Sequence, residues 1–232
     1  MIKFSLLLLF VATALSAQEY DSASVYVMFP RNAEPYHFTG VIGSTITFVP
    51  RPIAEEEIRQ VPIIDATIRY NLPYNFALTA HLGTNYITNL ASLGAQWNAN
   101  YGRLAVAVGD YSSVWYGFAS MDGFNVDAIG WLNTPHLSFG IAFDEMLITL
   151  RGELLFVTSR STRAGDIEVA SDRNIRAGGS LALYVEQPFF RNTHVLLGLK
   201  LNNLSNAYQS WLAFSTFNDP LLYPEFSIGI LL

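Results

Sequence analysis

The 232-residue chain contains no cysteine. That excludes a small disulfide-stapled fold and any thiolate metal centre, so a metal would have to be held by histidine and carboxylates alone. Charge is scarce too. Only 14% of residues are Asp, Glu, Lys or Arg while 51% are apolar, against about 25% charged in an ordinary soluble domain. Something other than water must cover much of the surface. After the first seventeen residues no stretch approaches the ~18 consecutive apolar residues of a spanning helix, so a place in a membrane would have to be taken by strands. Basic stripes are missing as well, and the net charge is −6, which excludes nucleic acid as a partner.

What the sequence has begins with an export signal. Lys3 precedes an apolar run from Leu6 through Ala14, followed by the small residues Ser16 and Ala17. This is the pattern of a secretory signal peptide over residues 1–17, cut after Ala17, with Leu15 in place of a small residue at the −3 position. The run is too short for a helical anchor before Gln18, Glu19 and Asp21 interrupt it. Residues 18–232 then form one domain, of a size suited to a single all-β barrel or sandwich.

Strands dominate this domain. In Ile64 to Asn71, Ile64, Ala66, Ile68 and Tyr70 fall on one face and Asp65, Thr67, Arg69 and Asn71 on the other, the period of two that a strand imposes. The same alternation places Ala77, Thr79, His81 and Gly83 opposite Phe76, Leu78, Ala80 and Leu82. It places Gln96 and Asn98 opposite Trp97, and Thr149, Arg151 and Glu153 opposite Ile148, Leu150 and Leu154. Arg176, Gly178, Ser180, Tyr184 and Glu186 oppose Ala177, Leu181, Leu183 and Val185, while His194, Gly198 and Lys200 oppose Val195, Leu197 and Leu199. Short turns are expected at 71–75, 101–103, 144–145 and 187–192. Longer polar connections are expected at Pro50 to Gln60 (with Glu55 to Glu57), around Ser112 to Asn125, over Thr158 to Asp172 and after Asn203.

Short and long connections alternate, and aromatic residues including Phe48, Tyr74, Tyr86, Trp97, Tyr101, Phe143, Phe156, Phe189 and Tyr223 gather near strand ends. The closing run Phe226 to Leu232 alternates to the last residue. On these features the chain resembles bacterial outer-membrane β-barrel proteins. The resemblance implies a closed antiparallel transmembrane barrel of about ten strands, with eight or twelve as the neighbouring even counts. It also implies residence in the cell outer membrane, contact with outer-membrane lipid, handling by the outer-membrane assembly machinery and an envelope protein as a further partner.

In such a barrel the polar faces turn inward. Asp65, Arg69, His81, Gln96, Arg151, Glu153, Arg176, Glu186 and Lys200 are therefore the candidate lumen-lining residues. Arg69, Arg151, Arg176 and Lys200 balance Asp65, Glu153 and Glu186, and eight to ten strands leave little open space, so mutual ion pairing is favoured over a wide pore. The expected function is a structural or interaction component, or a narrow, porin-like solute channel. A hydrolase using an inward histidine, with His81 the best placed, is an alternative; so is a soluble exported β-sandwich or lipocalin-like binder. No G-x-S-x-G or H-E-x-x-H motif occurs, His37 sits near the start of the first strand, His136 follows a proline in a turn, and His194 opens a strand. The expectation is accordingly no catalysis, no metal and no cofactor.

Overall fold

The computed structural model describes residues 25–31, 34–50, 60–121, 124–190, 193–205, 208, 211 and 219–232. The signal peptide expected over residues 1–17 and the acidic run Glu55 to Glu57 lie outside the described residues. Ten strands follow one another: β1 (Phe38–Phe48), β2 (Gln60–Asn71), β3 (Phe76–Thr84), β4 (Thr88–Tyr101), β5 (Leu104–Met121), β6 (Phe124–Phe143), β7 (Met146–Ala164), β8 (Ile167–Phe190), β9 (Thr193–Leu204) and β10 (Leu221–Leu231). Each pairs antiparallel with its neighbours in sequence, and β10 returns to β1 in a ladder from Val41↔Leu231 to Thr47↔Glu225. Closure leaves no strand edge, so backbone polar groups can be satisfied between strands without water. A lipid-embedded sheet requires this.

The outer face is apolar. Ile64, Ile68, Leu82, Leu93, Leu183, Leu197, Ile228 and Ile230 are exposed along it, while Asn71, Thr79, Gln96, Asn98, Thr149 and Glu225 are buried on the other face. This inversion of a soluble protein's pattern marks a barrel with lipid outside. The soluble sandwich reading fails here, because it would bury the apolar face between sheets. The protein is an outer-membrane β-barrel.

Both described ends of the sheet meet one rim. There β2–β3, β4–β5 and β6–β7 are joined by short turns, made possible by left-handed backbone at Tyr74, Asn75, Gly102 and Asp144. Short turns mark the periplasmic side. At the opposite rim β5 to β8 run far higher than their neighbours, with 18, 20, 19 and 24 residues, against the ~9–11 residues that cross a bilayer.

Two expected long connections are therefore corrected. Ser112 to Asn125 and Thr158 to Asp172 are not loops but, over their described residues, the upper halves of two strand pairs, β5–β6 and β7–β8, the latter closed by a two-residue turn at 165–166. Their polar residues reflect a wall standing above the lipid, where Ser120, Arg163 and Glu168 are exposed. The turn expected over 187–192 is also narrower, since β8 continues to Phe190. Tyr223 does not join an aromatic girdle; it points inward and is buried. His136 is not in a turn. It lies within β6, where the β6–β7 pairing skips Thr134 and Pro135, and a proline's missing N–H is tolerated at such a break.

Candidate functional site

The lumen is built in three storeys. The lowest is filled by the segment 25–31, which precedes β1 and enters the barrel from the periplasmic rim. Its backbone is held by two opposed charges on the wall. Glu186 of β8 accepts the N–H groups of three successive residues, Val27 at 2.6 Å and Met28 at 3.0 Å on Oε1 and Phe29 at 2.8 Å on Oε2. Arg69 of β2 donates through Nη1 to the carbonyl of Phe29 at 2.6 Å and through Nη2 to that of Arg31, with Nε bonded to Asn71 Oδ1 at 3.0 Å. The Tyr26 ring lies 5.3 Å from the Arg69 guanidinium carbon. Gln96 donates to Asn98 Oδ1 at 2.8 Å, and Asn98 in turn reaches the Arg69 fork.

Arg69 and Glu186 are 0% and 1% exposed. Charges so buried persist only when hydrogen-bonded or paired, and here most of their partners are backbone atoms of one short segment. Apolar packing completes the seat: Tyr26 and Phe29 pack with Ala105, Ala142 and Leu147, and Val27 with Val41, Leu196 and Leu231. Gly140 forms the floor beneath Phe29 and Pro30, where a Cβ would stand 2.6 Å from Phe29 and 2.7 Å from Pro30. Burial raises the Tyr26 hydroxyl above its ordinary pKa, because its anion would lose hydration.

Above the segment lies a chamber of about 190 Å³, bounded by Met28 below and Tyr208 above and walled by Asp65, His81, Arg151, Glu153, Lys200 and Glu225. That exceeds the ~150 Å³ of an engineered cavity able to take benzene. Lys200 Nζ sits 2.6 Å from Glu153 Oε2, which also accepts Ser180 Oγ at 3.0 Å. Arg151 is held by Ser138 Oγ at 2.9 Å and lies between the Tyr111 and Tyr184 rings, 5.9 and 5.7 Å from their centres. Asp65 accepts Thr45 Oγ1 at 2.8 Å. His136 stacks on Tyr111 with ring centroids 4.8 Å apart.

The third storey is apolar. Trp115 and Trp211, 6.3 Å apart, cross the lumen with Leu90, Leu132, Val126 and Val157, and Trp211 Nε1 donates to Thr88 Oγ1 at 3.2 Å. Glycines make room for both rings: a Cβ at Gly130 or Gly117 would stand 2.2 Å from Trp115 or Trp211 respectively.

Of the sequence-derived candidates, Asp65, His81, Arg151, Glu153 and Lys200 meet around the chamber, and Arg69, Gln96 and Glu186 lie at the periplasmic clamp. Arg176 does neither. The β7–β8 register slips between Leu155 and Phe156, so that Phe156 pairs with Arg176 and Leu155 with Gly178; the extra residue, Ala177, turns inward and Arg176 shares the exposed face of Phe156. Sequence reasoning overlooked Glu225, whose alternation with Phe226 and Pro224 was readable, and the whole segment 25–31, whose partner Glu186 lies 157 to 159 residues away. Among the described residues no hydroxyl is hydrogen-bonded to His81, and no group of three or more His, Asp or Glu is placed to hold a metal.

No protein-family model and no curated protein matches the chain in sequence. Among solved structures, it is similar to the translocator domain of the autotransporter NalP from Neisseria meningitidis, at 13% identity and a TM-score of 0.41 over 88% of this chain and 89% of that one. It is also similar to the outer membrane protease OmpT from Escherichia coli, at 11% identity and a TM-score of 0.47 over 89% of this chain and 97% of that one. At such identity no activity passes from either protein to this chain.

Proposed function

We propose that this protein is a non-conducting outer-membrane barrel, a structural or interaction component whose lumen is closed by its own N-terminal segment. The observation that carries this reading is the clamp on residues 27–31, where a buried carboxylate and a buried guanidinium grip successive backbone groups from opposite sides. A solute path would need that segment to leave, stranding both charges. The two tryptophans above add a second obstruction. The interior charges are thus read as ties between wall and filling rather than as a selectivity ring.

Purified barrel in planar bilayers tests this. The wild type is expected to give no discrete current steps. Reproducible, ion-selective steps from the unaltered chain would overturn the closed reading and restore the narrow channel.

A further inference from the structure

The outer face of β5 does not fit a single slab of lipid. Its outward residues run Leu104, Val106, Val108, Asp110, Ser112, Val114, Tyr116 and Phe118, alternating with the inward Ala105, Ala107, Tyr111, Ser113 and Trp115. A band about 25 Å tall on a strand tilted by about 40° takes roughly ten residues, or about five outward positions. Eight are present, and a carboxylate stands in the middle. Asp110 is seven residues beyond Arg103 in the periplasmic turn, hence about 18 Å above it, within the height spanned by the short strands. Among the described residues the outer faces of β1 to β4, β9 and β10 carry no charged side chain.

Neighbouring polar groups extend the anomaly. Ser112 lies opposite Asn133, and Asp110 opposite Pro135. Trp131 Nε1 donates to Ser112 Oγ at 2.8 Å, and Asn133 Nδ2 donates to Thr158 Oγ1 at 2.6 Å. Those bonds use the oxygens of Ser112 and Thr158 as acceptors and one amide hydrogen of Asn133, so each hydroxyl and the second amide hydrogen can still donate outward. The backbone N–H groups of Thr134 and Tyr111 hydrogen-bond to the Asp110 side chain, which nevertheless stays exposed on the outer face. Above this polar patch Tyr116, Phe118, Ile129 and Trp131 are exposed on the part of the wall that rises out of the bilayer.

We infer that the β5–β6 face is the contact between two copies of this chain, related by a two-fold axis along the membrane normal. The argument is self-complementarity. One face presents a carboxyl group and, one residue pair higher, hydroxyl and amide donors, so a copy turned by 180° about the membrane normal brings each carboxyl within diagonal reach of the other's donors, twice over, as an isologous interface requires. The same copy covers the aromatic patch above the lipid, which neither lipid nor water accommodates well. Beside Asp110 the flanking wall is small, with Ala95 on β4 and, beyond β6, Gly152 on β7, while the exposed Leu93 stands next to Ser112, so the walls can approach most closely at the level of Asp110.

The absence of cysteine makes the test direct. Ser112→Cys and, on the far wall, Leu197→Cys are oxidised in native outer membranes and run on denaturing gels. The inference expects a disulfide-linked dimer from Ser112→Cys and none from Leu197→Cys, and at least a tenfold smaller dimer fraction when Asp110→Leu is added. Heat-dependent gel mobility verifies that each variant is a folded barrel, and Asp110→Asn serves where Asp110→Leu is not. No dimer from Ser112→Cys, equal dimer from both positions, or an adduct with a different protein each overturns self-association, the last in favour of a foreign partner on the same face.

Discussion

Replacing Glu186 by alanine is the sharpest perturbation of the closed barrel. The carboxylate takes three backbone N–H groups at 2.6 to 3.0 Å. At roughly 1.5–3 kcal/mol for each bond to a charged group the gross sum is large, but such values do not add. The measured cost of breaking a buried charge's partnership, about 3–5 kcal/mol, is the better guide. The variant loses the anion and also leaves the Arg69 cation without its counterpart across the segment. A loss of that size multiplies the undocked fraction of residues 25–31 by about two to nearly four powers of ten. Val27→Cys reports it. That position is 2% exposed, so a water-soluble maleimide reacts only when the segment swings out, and the labelling rate follows the undocked fraction. Glu186→Gln, which keeps an acceptor but not the charge, should fall between wild type and Glu186→Ala. If Glu186→Ala labels at the wild-type rate in a barrel that still shifts on boiling, the clamp does not hold the segment and the reasoning fails.

Two further outcomes follow from the same geometry. Gly140→Val should loosen the segment without touching a charge, since its Cβ would enter the space of Phe29 and Pro30; overpacking of this kind costs about 1–3 kcal/mol, and the Val27→Cys labelling rate should rise accordingly. Lys200→Met should leave Glu153 with Ser180 and the neighbouring Arg151 but without its direct ion pair, and lower the temperature at which the barrel unfolds on gels, by the equivalent of about 1.5–3 kcal/mol. The double variant Lys200→Met with Glu153→Leu should recover most of that loss, and a double variant no better than the single would refute the pairing.

The barrel was legible because a lipid-facing sheet repeats one simple rule. Ile64 to Asn71 alternates without exception, and each of its outward residues is apolar for the same physical reason. Strand number and the β2, β3, β4, β7 and β9 faces follow from that rule. Where solvent changed, the rule misled: polar residues in β5 to β8 signalled loops, although they belong to strands that leave the membrane and meet water. Single irregularities were equally opaque. One bulged residue at Ala177 carries Arg176 from the expected lumen to the outside; its only local marks are Asn174 and Gly178, which take left-handed backbone around it, and a glycine inside a strand does not say which way the register slips. The clamp was half visible. Arg69 and Glu186 stood on inward faces, but their partners are backbone groups of a segment without periodicity, and a carboxylate's choice of three distant amides is a property of the folded chain alone.

The interior charges fall into two classes that answer differently to the removal of residues 25–31. Lys200 with Glu153, and Asp65 with Thr45, join wall to wall and survive any movement of the segment. Arg69 and Glu186 join wall to segment, and lose most of their partners when it leaves. Water would then have to solvate both charges, and it can do so only by flooding the lower lumen, where Tyr26, Phe29, Ala105, Ala142 and Leu147 now exclude it. Undocking and hydration are therefore one event, with no dry empty state between them. The apolar contacts oppose the flood and the clamp opposes the departure, so each strengthens the other. A barrel built this way is either filled by its own chain or filled by water. The placement of two fully buried, opposite charges around so short a segment selects the first.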